Sequence, residues 1–309
     1  MKNYIKPTAV LAADIHLRET IPECRTDDFI AAMMAKFMFI CNLALHHNIP
    51  LLIAGDLGDK WRWGHALEQF AIRWLNIVNP CPVVIPGQHD LPDHNINNLG
   101  RSALGVLQEA GVINLLGRDS QIASLNKITV QGIPYGCEVK TLDIPDDSYK
   151  VLMLHTLVTE TSKADWPGQN AVTAKELLDK YDFDLILTGD NHKPFVVEQD
   201  DKILVNPGSM MRSTAAQIDH RPRVYLWYAK QYRVEPIYLP IEQGVVTRDH
   251  IDTKDERDGR IEAYVKRLDD TYEVGLSFEE NLQKFFTANK VVTSVKDKML
   301  QAVEAGKLL

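Results

Sequence analysis

The stretch PVVIPGQHDLPDHN, residues 82–95, joins a short apolar run directly to a cluster of polar side chains. The run VVI consists of β-branched residues, which are typical of a buried strand. The following GQHD combines an amide, an imidazole and a carboxylate, which are the side chains of a divalent metal site. Pro, Gly and Asp in such a segment are also typical of an ordinary surface turn. Partner segments elsewhere in the chain decide between the two interpretations.

Four other apolar runs end in the same kind of polar cluster. They are TAVLAADIH (8–16), PLLIAGDLGD (50–59), KVLMLH (150–155) and FDLILTGDNH (183–192). Helical patterns lie between several of these runs, which is typical of an α/β domain. Because ligands of open α/β sheets gather at the carboxyl ends of the strands, we expect all five clusters at a shared rim. Carboxylates, imidazoles and an amide oxygen at one rim suit a site for two divalent ions.

After residue 190 the pattern changes to strand-like pieces with little helix between them, which predicts a β-meander that closes a second sheet. From about residue 242 a charged stretch leads into two amphipathic helical patterns. The first of these begins with a capping box of Ser277 and Glu280 and continues with Leu282 and Phe285. We therefore predict a boundary between a main domain, residues 1–241, and a C-terminal helical appendage, residues 242–309.

The composition, with 45% hydrophobic and 25% charged residues among 309, is that of an ordinary globular protein. A formal net charge of −8 argues against binding of nucleic acid through bulk positive charge, so a DNA substrate would need a local basic track or metal ions. Charges interrupt the apolar segments, and we expect no membrane segment. Four widely spaced cysteines predict reduced thiols in a cytoplasmic protein: Cys24, Cys41, Cys81 and Cys137.

The ordered set of DxH (14–16), GDxxD (55–59), GQHD (87–90), the isolated His155 and GDNH (189–192) resembles the motifs of the calcineurin-like metallophosphoesterase superfamily. The resemblance covers roughly residues 8–230. It implies an α/β fold in which a two-sheet β-sandwich is flanked by helices. The stretches GQHDLP (87–92) and LVNPGSMMR (204–212) narrow the resemblance toward the nuclease subunit of SbcCD-type DNA repair complexes.

This resemblance implies a two-metal hydroxide mechanism for hydrolysis of phosphodiester bonds. Carried over to this chain, its metal ligands are Asp14, His16 and His192 for the first ion, Asp56 for both, and Gln88, His155 and Asp190 for the second. His89 is then the general acid, and Asp90 orients its imidazole. The two ions are expected to be Mn²⁺, with Mg²⁺ as the alternative.

The chain departs from the family pattern at two of these positions. Gln88 stands where the family usually has Asn, and Asp190 where it has His. Both departures affect the second ion, and both replacements offer an oxygen atom, which favours Mn²⁺ or Mg²⁺ over Zn²⁺. The second site is therefore either retuned or weakened, and we favour retuning.

The narrower resemblance also implies partners. These are a DNA substrate, a coiled-coil ATPase subunit of SbcC type and a second copy of the chain. The tail helices around Leu282 and Phe285 either dock on the ATPase or pack internally. Two other functions stay open: a phosphoesterase for a small molecule or nucleotide, which fits the acidic composition, and a non-catalytic scaffold, which fits a weakened second site.

Overall fold

The computed structural model describes residues 5–118, 121–140, 142, 144–145, 147–161, 171–249, 251, 260–261 and 277–306. The chain divides into two compact units, residues 1–247 and residues 248–309.

The first unit contains two six-stranded sheets. In the first sheet, four strands run parallel: β1 (Ala9–Ala12), β2 (Leu51–Ala54), β3 (Val83–Ile85) and β4 (Asn114–Leu115). An antiparallel hairpin of β13 (Arg223–Tyr228) and β14 (Arg233–Tyr238) extends this sheet beside β1. The order across the sheet is therefore β14-β13-β1-β2-β3-β4.

The second sheet also has a parallel centre. Its parallel strands are β6 (Ile128–Ile133), β7 (Tyr149–His155), β10 (Leu185–Gly189) and β12 (Lys202–Asn206). The edge strands β5 (Gln121–Leu125) and β11 (Phe195–Gln199) are antiparallel to their neighbours. The order is β11-β12-β10-β7-β6-β5, and β8 (Val158–Thr159) forms a separate pair with β9 (Val172–Thr173).

Both faces of each sheet are covered, which explains why the central strands are apolar throughout. Leu11 and Leu52 of the first sheet meet Met153 and Leu187 of the second in a core between the sheets. Outside the first sheet lie α1 (Phe29–His47), α2 (His65–Leu75) and α3 (Ala103–Glu109), and outside the second lies α4 (Ala174–Lys180). The predicted two-sheet sandwich flanked by helices is confirmed.

One sequence expectation about strands is wrong. The pieces after residue 190 do not form one meander, because β11 and β12 join the second sheet while β13 and β14 return to the first. The sequence pattern also failed to indicate β5 and β6, where the buried polar residues Thr129 and Gln131 interrupt the apolar run. Local pattern identifies strands, but it does not say which sheet they enter.

Helix α1 differs from the expectation that charges interrupt every long apolar segment. Over 18 of its residues the mean hydropathy is 1.7, so by length and composition it is apolar enough to cross a membrane. Its single Lys or Arg residue, Lys36, is itself buried. Phe29, Met33 and Phe37 are fully buried in the core on the outer face of the first sheet, and a core helix of this kind has the same composition.

The second unit is described over its last two helices, α5 (Phe278–Ala288) and α6 (Thr293–Gly306). The predicted capping box is present: the Glu280 amide donates to Ser277 Oγ at 3.2 Å, and the Ser277 amide donates to Glu280 Oε2 at 2.8 Å. Leu282 and Phe285 are buried, with Met299 of α6 packed against them. Leu282 and Phe285 are therefore covered by packing within the second unit.

Candidate metal centre

The loops that follow β1, β2, β3, β7 and β10 lie at one edge of the sandwich. Their strands run parallel within each sheet, and hydrogen bonds join the two sheets at this edge. His155, at the end of β7, donates from Nδ1 to the Ala54 carbonyl at the end of β2, at 2.7 Å. The Asp190 amide, after β10, donates to both carboxylate oxygens of Asp14, after β1, at 3.1 and 3.2 Å. The five polar clusters do share one rim.

Four of the predicted ligands have left-handed backbone conformations. The φ angles are 48° at Asp14, 49° at His16, 49° at Asp56 and 86° at Asp190. Residues with a side chain seldom adopt positive φ, although Asp and His do so more readily than most. Such conformations cluster at functional sites, where the surrounding contacts hold them. Here they turn the chain sharply at the strand ends.

Two glycines of the motifs lie so close to predicted ligands that no side chain fits in their place. A Cβ at Gly55, whose φ is 86°, would lie 2.0 Å from His155 Nδ1. A Cβ at Gly87 would lie 2.1 Å from Asp56 Oδ1. The sequence analysis assigned no role to these glycines. The available signal was their position, because each directly precedes a predicted ligand.

The ligand atoms of the rim fall into three overlapping groups, in each of which all atoms lie within 4.8 Å of one another. The groups are Asp14, His16 and His192; His16, Asp56 and His89; and Asp14, Asp56 and His155. In the first group the Nε2 atoms of His16 and His192 face each other at 3.2 Å. Asp14, His16 and Asp56 each belong to two of the groups, and the fully buried Asp56 has its Oδ2 3.8 Å from His16 Nε2 and 3.4 Å from His155 Nε2.

Several buried atoms of the rim have no hydrogen-bond partner, although buried polar atoms are ordinarily satisfied. They are His16 Nδ1, Asp56 Oδ2, Gln88 Oε1 and His155 Nε2. Asp56 Oδ2 and His155 Nε2 lie 3.4 Å apart. Because a carbonyl can only accept, the Ala54 contact fixes the hydrogen of His155 on Nδ1 and makes Nε2 the ligating atom. The donor set therefore fits divalent cations.

The electrostatics of the rim agree with this fit. Burial lowers the pKa of His16 to about 3, so its imidazole is neutral and able to ligate. Burial also acts to lower the pKa of His155. The Asp56 and Asp14 carboxylates have the larger, opposite effect and raise this pKa to about 10. A bound cation would compensate the same carboxylates and favour the neutral, ligating form of His155.

The two departures from the family pattern contact each other. Gln88 Nε2 donates to Asp190 Oδ1 at 2.7 Å, which fixes the orientation of the amide and leaves Gln88 Oε1 buried without a partner. The Asp190 carboxylate lies outside the three groups, and the expectation that it is itself a ligand stays a prediction. Its Oδ1 accepts from Gln88, while the Asp190 amide donates to Asp14. Gln88 Oε1 is a buried oxygen without a hydrogen-bond partner.

His89 lies at the exposed side of the rim, and its ring is not held by Asp90 as the sequence predicted. Its Nδ1 donates to the Asp59 carbonyl at 3.0 Å, which leaves Nε2 to carry or release a proton. Asp90 is buried, and its carboxylate accepts the backbone amides of Leu57, Gly58 and Gly87 at 2.9–3.2 Å. Asp90 therefore joins the loop after β2 to the loop after β3.

A further segment, PGSMM (207–211), supports two predicted ligands through its backbone. The Ser209 amide donates to the His192 carbonyl at 3.2 Å, and the Met210 amide donates to the Asp14 carbonyl at 3.1 Å. Asn206, just before it, donates from Nδ2 to the Lys193 carbonyl at 2.9 Å. The sequence indicated this segment only through the family resemblance, because its supporting contacts depend on long-range folding.

Comparison with known proteins agrees with this geometry. The family model for calcineurin-like phosphoesterases matches residues 8–194, more than half of the chain. The chain belongs to this family, whose members are phosphoesterases that use divalent metal ions.

One curated relative is the DNA double-strand break repair protein Mre11 of Haloferax volcanii, 26% identical over 157 residues. The match covers 49% of this chain and only 33% of that protein. Among solved structures, TT1561 of Thermus thermophilus aligns with a TM-score of 0.47 and 12% identity, over 76% of this chain and 99% of the other. A structure described as a novel archaeal phosphodiesterase aligns with a TM-score of 0.40 and 11% identity, over 75% and 99%.

Proposed function

We propose that this chain is a phosphodiesterase with two divalent ions that cleaves DNA, as the nuclease subunit of an SbcCD-type complex. One observation carries the phosphodiesterase part of the proposal. Asp14, His16 and Asp56 each belong to two of the three ligand groups, and Asp56 Oδ2 and His155 Nε2 are buried beside each other without hydrogen-bond partners. A purely structural cluster would be expected to satisfy these atoms internally.

The residues divide into ligands and a proton donor. Asp14, His16 and His192 would hold one ion, His155 and Gln88 the other, and Asp56 both. When bound, the ions supply charge that lowers the pKa of water and stabilises the charge of the phosphate in the transition state. Because Nδ1 of His89 donates to the Asp59 backbone carbonyl, Nε2 is the ring nitrogen that would take up a second proton and donate it. That proton goes to the oxygen that leaves the phosphate.

The DNA part of the proposal draws on the similarity to a protein named for DNA double-strand break repair. A local excess of basic residues also supports it, despite the net charge of −8. A cavity of about 220 Å³ is lined by three cations, Arg18, Lys60 and Arg62, and by two carboxylates, Glu19 and Asp59, of which Asp59 pairs with Arg18 at 3.0 Å. Since Asp59 contacts His89, these cations are close to the point where a phosphate backbone would approach.

The remaining parts of the proposal concern the ion and the partners. Oxygen ligands from Asp14, Asp56 and Gln88 favour Mn²⁺, with Mg²⁺ next. A coiled-coil ATPase subunit and a second copy of the chain are the proposed partners, and the cytoplasm is the proposed location. Because Leu282 and Phe285 pack internally, docking would have to use exposed residues such as Phe278 or Val295.

The test compares three substrates after loading with Mn²⁺: bis(p-nitrophenyl) phosphate, p-nitrophenyl phosphate and linear DNA. We expect turnover of the diester and of DNA, with little turnover of the monoester. Asp14→Asn purified in parallel should lose both activities, which controls for a contaminating nuclease. Rapid monoester turnover without DNA cleavage would contradict the DNA proposal and favour the small-molecule phosphoesterase.

A further inference from the structure

A largely apolar groove with a volume of about 530 Å³ adjoins the candidate metal centre. We call it the α4 groove; its walls include Ile133, Tyr135, Val139, Leu154, Val172 and Leu177. It lies on the outer face of the second sheet, between α4 and the turn that follows β6. Its lining also includes His155, the last residue of β7, and Thr156, which follows it. His155 is the proposed second-ion ligand, so the groove and the centre share a residue.

The walls of the groove restrict what enters it. Ile133, Leu154 and Leu177 are buried apolar residues of the core beneath it. The charged residues of its lining are one acid and one base, Glu176 and Lys180, so the groove offers no net positive charge to compensate a phosphate for the hydration it would lose against the apolar walls. The part of a substrate that fits is uncharged and largely apolar, with polar groups at its edge that meet Thr156 or Lys180. In a nucleic acid that part is the base.

Tyr135 links the groove to the centre. Its ring centroid lies 6.4 Å from that of His155 and 6.5 Å from that of His94. The turn that carries it is tied to the loop of Gln88 and His89, because the Tyr135 amide donates to the Pro86 carbonyl at 3.0 Å. A half-buried aromatic ring fixed at this point offers a stacking surface beside the reacting phosphate.

We propose that the α4 groove receives one unstacked nucleobase, that of a nucleotide adjoining the scissile phosphate, with Tyr135 stacking on it. The proposal rests on the proposed DNA cleavage and extends it: the enzyme acts on unpaired nucleotides, whose bases are free to leave the stack. The groove gives the site a preference for a base without reading its identity.

The test uses a single-stranded oligonucleotide that carries one abasic nucleotide, compared with the same strand carrying a base at that position. Cleavage is quantified at each phosphate with the Mn²⁺-loaded full chain. Stacking of one base on an aromatic side chain stabilises a bound strand by about 1–3 kcal/mol. We therefore expect cleavage beside the abasic position to be about 10-fold slower. Val139→Trp, which fills the groove, should cleave both strands at the slow rate. Tyr135→Phe should keep the difference, and Tyr135→Ala should lose most of it.

A matched control places the same side chain in a cavity of similar size at the opposite end of the second sheet. Asp201→Trp enters a cavity of about 520 Å³ lined by Tyr149 and Phe183, and it should keep the difference between the two strands. Manganese content should be equal in all variants. Equal cleavage of the two strands by the wild-type chain would overturn the groove proposal but not the proposed DNA cleavage. Absence of DNA cleavage with retained diester turnover would overturn the proposed function, and the groove proposal with it.

Discussion

The two sides of the candidate metal centre are built differently. On the first side, His16 and His192 bring their ring nitrogens within 3.2 Å of each other, beside Asp14. On the second side, each ligand is held by a supporting group: His155 by the Ala54 carbonyl and Gln88 by Asp190. The first side is rich in nitrogen, and the second gains an amide oxygen. On the second side the supporting contacts orient the ligand side chains, whereas on the first side the contacts of the segment 207–211 reach backbone carbonyls of Asp14 and His192.

This difference changes the meaning of the two departures from the family pattern. Gln88 is longer than Asn and Asp190 is shorter than His, and the two side chains bond to each other at 2.7 Å. We propose that they are one coupled change, in which Gln88 offers its oxygen as the ligand and Asp190 positions the Gln88 amide. A retuned second site explains this pairing better than two independent losses.

The largest effect is expected from Asp56→Asn, because Asp56 belongs to both sides. The variant should lose both ions and reduce diester hydrolysis by about 10³-fold or more, since the ions supply several kcal/mol of transition-state stabilisation. Metal content by mass spectrometry and initial rates measure this. Asp59→Asn is the matched control in the same loop, where the side chain pairs with Arg18 at 3.0 Å. If Asp56→Asn kept one ion at full occupancy, Asp56 would not be shared.

His89→Asn tests a residue assigned to neither side. Both ions should stay bound, while hydrolysis falls by about 10²-fold because the proton donor is lost. His65→Asn, at an exposed position with a side chain 95% accessible, is the control and should have the wild-type rate. A wild-type rate in His89→Asn would remove the residue from the mechanism.

The pair Gln88 and Asp190 tests the second side alone. Gln88→Ala and Asp190→Ala should each weaken binding of the second ion by about 10- to 100-fold, the usual effect of losing a supporting contact, without changing the first. Because Asp190 acts through Gln88, the double alanine variant should be little worse than either single variant. Additive losses in a calorimetric titration with Mn²⁺ would instead make Asp190 an independent ligand.

The smallest effect on catalysis is expected from Asp90→Asn. The Asn side chain keeps one acceptor oxygen but turns its NH₂ group toward backbone N–H donors. The free energy of unfolding should therefore fall by about 1–3 kcal/mol. Urea denaturation measures this change. The rate per folded molecule should fall less than in His89→Asn. A rate loss as large as that of His89→Asn, with unchanged stability, would restore Asp90 to a direct role in the chemistry.

The sequence predicted the parallel apolar strands and the polar clusters behind them, because strand patterns and turn residues are local properties. It did not predict that β13 and β14 return to the first sheet, since pairing partners are chosen across the whole chain. The contacts of Asp90 and Gln88 at the rim could not be predicted for the same reason. Asp90 meets amides 32 and 33 residues earlier, and Gln88 meets Asp190 across 102 residues.

We infer that Gln88 and His155 complete a second ion site, with the Asp190 carboxylate bonded to the Gln88 amide. Anomalous diffraction from crystals soaked in Mn²⁺ tests it most directly. We predict two manganese peaks: one among Asp14, His16 and His192, and one at Gln88 Oε1 and His155 Nε2, with Asp56 at both and Asp190 bonded to Gln88. A single peak on the first side, with the Gln88 oxygen turned away from it, would contradict the account and favour a weakened site.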